Sequence, residues 1–108
     1  MTPAEAIREL MLGATAWQGD CADLAIAYVS RVQGRSVERV GSVLSVRAVT
    51  NVLGRPKRGK PVYGDLALHK GGLGICLGYG LLTVSESDGL MIRQSMPDKC
   101  VTWGVESG

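Results

Sequence analysis

Cys21 is the residue of this sequence with the clearest chemical potential. It follows Gly19 and Asp20 in the segment WQGDCADL, where we predict the first turn of a helix. Unpaired amides and the dipole of a helix N-terminus stabilise a thiolate, the nucleophilic form of cysteine. The carboxylate of Asp20 opposes this effect, because it disfavours a second negative charge nearby. Cysteine is also a common small core residue, so position alone leaves a nucleophile and a packing role both open.

The other candidate residues are one histidine, His69, and two further cysteines, Cys76 and Cys100. No two cysteines have Cys-x-x-Cys spacing and one imidazole cannot complete a common zinc ligand set, so we predict no metal and no cofactor. Three scattered cysteines favour reduced thiols in a cytosolic setting over a disulfide framework. His69 could swing toward Cys21 as a general base, but a Gly-rich turn orients a base poorly. The alternative for His69 is a solvated loop residue.

Three helices are predicted in the first half of the chain. Thr2 and Glu5 form a capping box at the first start, and Asp20 is the N-cap of the second helix. The second helix is apolar nearly all round, which is typical of a buried, central helix. The predicted helices run from Thr2 to Gly13, from Asp20 to Gly34, and from about Ser42 or Ser45 to Leu53.

The second half changes to the period of two that is typical of strands. The segments GDLALH, LGICLG, GLLTVSE, LMIRQS and CVTWGV read as five short strands joined by short links. Such links imply an antiparallel meander. Helices followed by strands predict an α+β fold, and 108 residues predict a single domain over residues 1–108.

The first predicted hairpin has a preferred register. Leu68 opposite Leu73 keeps all the leucines on one face, with residues 69–72 as the loop and His69 in the turn. The other face then carries Ala67, Gly74 and Cys76. Small residues such as these suit a closely packed helix.

Composition narrows the class of partner. A net charge of +2 makes no case for binding nucleic acid or a membrane surface, and no apolar run approaches the roughly 20 residues of a membrane span. The charged N-terminal helix does not resemble a signal peptide, so we expect no ordinary export. The basic segment RPKRGK is either a solvated loop or a contact for an acidic partner.

Two motifs resemble a known family. WQGDCADL resembles the nucleophile motif of the NlpC-type peptidases, papain-like cell-wall hydrolases in which an aromatic–Gly segment precedes Asp-Cys-Ser-Gly at the start of the central helix. GDLALH followed by GLGICLGYG is similar to their Gly-Asp-Leu and His-Val-Gly-Ile-Tyr-Leu-Gly strands. The resemblance covers roughly residues 14–85 and is strongest at 17–24 and 64–78. Short papain-like proteins of bacteriophage tail gene clusters are the most similar group.

The resemblance assigns site residues and also shows a departure. It places Cys21 on the nucleophile and Ser85 near the third, orienting residue, whereas Gly72 stands where the family has its catalytic histidine. Without that imidazole no base takes the thiol proton or protonates the leaving amine. Ala22 and Asp23 also replace the family's Ser-Gly.

The resemblance therefore implies a papain-like (NlpC-type) α+β domain of about three helices on a five-stranded antiparallel sheet. It implies a pseudoenzyme: a non-catalytic subunit of a phage tail tip or hub, or a tail-assembly protein. Its partners would be other tail proteins, with contact to peptidoglycan, in the virion after assembly in the host cytoplasm. One alternative is an active peptidoglycan-cleaving cysteine peptidase or amidase that uses Cys21, His69 and Ser85. A small host-directed interaction protein is a further alternative.

Overall fold

A computed structural model describes residues 1–13, 17–38, 45–70, 72–85, 89–96 and 99–106. Within these ranges three helices precede five strands, which confirms the predicted α+β class and order of elements. The helices are α1 (Pro3–Leu12), α2 (Cys21–Gln33) and α3 (Val46–Leu53). The strands are β1 (Leu66–His69), β2 (Gly72–Cys76), β3 (Leu81–Ser85), β4 (Gly89–Arg93) and β5 (Val101–Trp103).

The first two helices begin and end at the residues that the sequence predicts. The Thr2 hydroxyl accepts from the Glu5 amide, and the Glu5 carboxylate accepts from the Thr2 amide. Hydrogen bonding of the carboxylate to the Thr2 amide, and then to the Thr2 side chain, holds the pKa of the Glu5 carboxyl below its usual value. Asp20 and Asp23 form the same reciprocal box at the start of α2, and Gly34 ends that helix with a left-handed φ of 65°.

The third helix begins at the later of its two predicted starts. The Ser45 hydroxyl oxygen accepts a hydrogen bond from the Ala48 amide at 3.1 Å, which makes Ser45 the N-cap of α3. The alternative start at Ser42 lies outside the described residues. The helix ends at Leu53, as predicted, and Gly54 follows it.

The five strands form one antiparallel sheet in the order β4-β3-β2-β1-β5. Leu68 pairs with Leu73, which confirms the predicted hairpin register. The predicted loop was two residues too long, because His69 pairs with Gly72 and is the last residue of β1. Lys70, which follows β1, takes the positive φ of 48° that short hairpin turns favour.

The sheet has two unlike faces. The face under the helices, here called the helix face, presents large apolar side chains to α2, which packs across β2 and β3. The opposite face, here called the small face, has the buried residues Ala67, Cys76 and Leu81, covered by Met96 and Cys100. The main side chains of the helix-face core are Leu24, Tyr28, Leu66, Leu68, Leu73, Ile75, Leu82 and Trp103.

The prediction that the small face packs against a helix is wrong. The helix lies on the leucine side because Leu24 and Tyr28 bury far more apolar area against large side chains than against Ala67 and Cys76. Met96 and Cys100 pack against the small face instead.

Helix length also bears on membrane insertion. Of the three helices that the structure describes, α2 is the longest at 13 residues. A membrane span needs about 20 apolar residues. No helix within the described ranges is long and apolar enough to cross a bilayer.

Candidate functional site

The turn before α2 explains why Gly-Asp precedes the cysteine. Gly19 has a φ of 127°, in the region that side chains rarely adopt. A Cβ at this position would lie 2.7 Å from Oδ2 of Asp23, so the carboxylate needs the space that glycine leaves. Asp20 then caps the helix, and Cys21 becomes its first residue, as predicted.

Two carboxylates, those of Asp20 and Asp23, lie at the start of the helix that Cys21 begins. Oδ1 of Asp20 accepts from the Asp23 amide and Oδ2 of Asp23 accepts from the Asp20 amide, both at 3.0 Å. The Asp23 amide of the first turn is therefore already bonded to a carboxylate. Cys21 itself is half-buried and packs, together with Trp17, against the helix-face core.

The imidazole of His69 is held on the other side of the sheet. In the alternation of β1, His69 shares the small face with Ala67, whereas Leu66 and Leu68 lie on the helix face. Its Nδ1 lies 2.7 Å from the Lys99 carbonyl oxygen. A carbonyl can only accept, so Nδ1 carries a proton and donates it to this hydrogen bond. His69 therefore belongs to the sheet, and its predicted place in a turn is wrong.

The structure does not assemble Cys21 and His69 into one site. Cys21 packs with the helix-face core, and the His69 side chain leaves the sheet on the small face. Leu68 pairs with Val101 in the β1–β5 register. If that pairing is extended by one residue, the cysteine opposite His69 is Cys100 and not Cys21. Burial, and then the neighbouring Cys76, raise the pKa of the Cys100 thiol, which keeps it protonated and a weak nucleophile.

The two remaining positions of the predicted site lie at the same end of the sheet as His69. Gly72 begins β2 opposite His69, and the backbone of Ser85 ends β3 opposite Gly89. Among the described residues, a Cβ at Gly72 would meet only the His69 carbonyl oxygen, at an ordinary 3.5 Å. In the alternation of β2, position 72 falls on the small face with Gly74 and Cys76, so a side chain there would also leave away from α2.

The Gly-Asp-Leu motif before β1 has a structural role that sequence reasoning missed. The buried Asp65 carboxylate accepts from Nζ of Lys57 at 2.8 Å and from the Val62 amide at 2.9 Å. Lys57 belongs to the basic segment, whose other cations, Arg55, Arg58 and Lys60, are exposed. The available signal was a single acid placed between a basic loop and a buried strand, because a buried carboxylate needs a cation or donors.

A buried tyrosine in the middle of α2 joins the helix to the turn before β1. The Tyr28 hydroxyl donates to the Gly64 carbonyl oxygen at 2.6 Å. Burial, and then the charges of Tyr63 and Asp65, raise the pKa of Tyr28 above its usual value. A groove of about 570 Å³ opens beside Gly64, with Tyr63 and Asp65 in its lining; among the described residues, neither Cys21 nor His69 lines it.

The cysteines offer no ready metal centre within the part of the chain that the structure describes. All three thiols there are free. Histidine, cysteine and acidic side chains form no cluster of three that could hold a metal ion among the described residues.

Comparison with known proteins adds no relative. No family model, curated protein or solved structure matches the chain. The family resemblance therefore depends on the sequence motifs around Cys21 and on the strand that contains Gly72.

Proposed function

We propose that this chain is a non-catalytic structural subunit of a bacteriophage tail, at the tip or hub or in tail assembly, built on a degenerate papain-like cysteine-peptidase fold. The resemblance of WQGDCADL and GLGICLGYG to the NlpC-type motifs supports the ancestry. The order of helices followed by an antiparallel meander is compatible with it. The observation that carries the non-catalytic part is the separation of Cys21 and His69 onto opposite faces of the sheet.

The chemistry of thiol hydrolases explains why that separation matters. The base must lie within hydrogen-bond distance of the thiol, and a third group must orient it. Here Nδ1 of His69 is hydrogen-bonded to the Lys99 carbonyl oxygen on the small face. The family's own base position is Gly72, which has no side chain to offer. What remains is a scaffold whose partners would be other tail proteins, with contact to peptidoglycan at the cell surface.

An active peptidoglycan-cleaving peptidase or amidase is the second candidate. One observation favours it, because Cys21 keeps the first position of α2 and is only half-buried. Catalysis would require His69 to leave the Lys99 carbonyl and reach the helix face, with Ser85 as the orienting residue.

Tail particles provide the test of the structural proposal. Tails are purified from cells that express the gene cluster encoding this chain, either intact or with this gene deleted, and are analysed by mass spectrometry and electron microscopy. We expect the chain in intact tails at a fixed ratio to the major tail protein, and defective tails after deletion. Normal tails that contain none of this chain would overturn the proposal.

Hydrolysis of peptidoglycan stem peptides tests the enzymatic alternative. The purified chain is incubated with soluble stem peptides, and the products are separated by liquid chromatography. We expect no cleavage. Cleavage that disappears in Cys21→Ser and in His69→Ala but persists in the matched control Cys100→Ser would establish the peptidase.

A further inference from the structure

The two edge strands of the sheet differ in whether another segment pairs with them. On the β5 edge, the Lys57 amide donates to the Thr102 carbonyl oxygen at 2.7 Å, so a loop covers that strand. On the β4 edge, no backbone group within the described ranges pairs with the outer side of the strand. An uncovered strand edge is a template for pairing with another strand.

The side chains of β4 do not protect this edge. In natural proteins, proline, inward-pointing charges or bulges on an edge strand prevent it from pairing with another strand. Over Gly89–Arg93 the strand is GLMIR, with no proline and a single charge at its end, and Gly89 at its start has a positive φ of 78°. Leu90 is buried and Ile92 is half-buried on the helix face, whereas Met91 is exposed on the small face.

The strand is complementary to itself in one register. A two-fold axis normal to the sheet, centred on Met91, would set Gly89 opposite Arg93 and Leu90 opposite Ile92. Each residue then faces a partner on the same side of the sheet, as the pleat requires. The two Arg93 side chains lie at opposite ends of the pair and face glycine, so no like charges meet. A centre on Leu90 or Ile92 would leave two of the five residues unpaired.

We infer that β4 is a self-association site, at which a second copy of this chain pairs antiparallel about Met91. The pair joins two five-stranded sheets into one, continues the helix-face core through Leu90 and Ile92, and sets the two Met91 side chains in contact on the small face. This inference is independent of the proposed function, since it uses only the edge strand.

Sedimentation of the whole chain over a range of concentrations tests the inference. We expect a monomer–dimer equilibrium in the wild-type protein. Met91→Lys sets two like charges opposite each other at the axis, and we expect it to raise the dissociation constant about tenfold. Val46→Lys is the control, because Val46 is as exposed as Met91, at 41% against 43%, but lies on α3. A wild-type monomer at all concentrations, or equal effects of the two variants, would overturn the inference.

Two variants of opposite charge at Met91 distinguish a loss of dimerisation from a loss of folding. Met91→Glu alone is expected to weaken the dimer, and an equimolar mixture of Met91→Glu with Met91→Lys to restore it, since opposite charges then meet at the axis. Hydrogen exchange of the wild-type peptide spanning residues 89–93 should slow as concentration rises. No recovery in the mixture, or exchange independent of concentration, would contradict the Met91-centred register.

Discussion

The helix face of the sheet buries large aliphatic side chains beneath α2, whereas the small face buries Ala67, Gly74 and Cys76, and Met96 and Cys100 pack against it. The two groups with catalytic potential are divided in the same way. Cys21 belongs to the helix-face core, and His69 leaves the sheet on the small face. Because side chains alternate along a strand, one residue of offset decides which core a side chain joins.

Because Cys21 and His69 lie on different faces of the sheet, a nucleophile-like motif and a histidine in one short chain do not make a site by themselves. The register of the first hairpin puts leucines on the helix face, and the same register puts His69 and position 72 on the other. The packing that stabilises the fold therefore also keeps the imidazole away from the thiol.

The largest expected contrast lies between two neighbouring residues of β2. Ile75 and Cys76 are both fully buried but lie on opposite faces. Ile75→Ala leaves a cavity in the main core and should lower the free energy of unfolding by about 2–5 kcal/mol. Cys76→Ala removes a single sulfur atom and should cost about 1 kcal/mol. Urea denaturation measures both variants, and equal losses would contradict the unequal faces.

The next contrast lies within the small face. A Cβ at Gly74 would lie 3.2 Å from the Leu82 carbonyl oxygen and 3.3 Å from Cβ of Leu81, whereas one at Gly72 has room. Gly74→Ala should therefore lower the free energy of unfolding by about 1–3 kcal/mol through overpacking. Gly72→Ala should be neutral or slightly stabilising, because it restricts the unfolded chain. Thermal and urea unfolding compare the pair, and a harmless Gly74→Ala would show that the small face is loosely packed.

Local signals predicted the elements well, because each depends on a few adjacent residues. The N-cap at Asp20, the stop at Gly34 and the Leu68–Leu73 register follow from side-chain chemistry and strand period. The side of the sheet that the helix covers does not follow, because both faces of β1 and β2 are apolar. That choice depends on the total area α2 can bury, a property of the whole core.

The candidate site was less predictable for the same reason. Cys21 took its predicted place at the start of α2, because a cap fixes it. His69 did not, because a two-residue turn extended β1 by one residue and fixed the ring's face. The Lys57–Asp65 ion pair joins a residue of the basic loop to the residue just before β1, and no periodic pattern in the sequence predicts such a contact.

The buried hydrogen bond between Tyr28 and Gly64 predicts a smaller, pH-dependent effect on the free energy of unfolding. Tyr28→Phe removes the hydrogen bond to Gly64 and should cost about 1 kcal/mol near neutral pH. The folded pKa of Tyr28 is raised by burial, so its contribution is complete below the ordinary tyrosine pKa of about 10 and is lost as the pH rises above that value. The stability difference between wild type and Tyr28→Phe should therefore shrink above about pH 10. Urea unfolding from pH 8 to pH 11 measures it, and a difference that stays constant would show that Tyr28 ionises equally in both states.

The smallest expected effect tests the division of the faces directly. Gly72→His installs an imidazole at the position where the NlpC-type peptidases, which the motifs resemble, have their base; the backbone there has room and no left-handed φ forbids a side chain. Because position 72 falls on the small face, we expect the alkylation rate of Cys21 at neutral pH to equal that of the matched control Gly72→Ala. Peptide mapping after iodoacetamide treatment resolves Cys21 from Cys76 and Cys100. A several-fold faster reaction of Cys21 in Gly72→His would show that position 72 reaches the helix face, and that the chain lacks only the imidazole of a working thiol site.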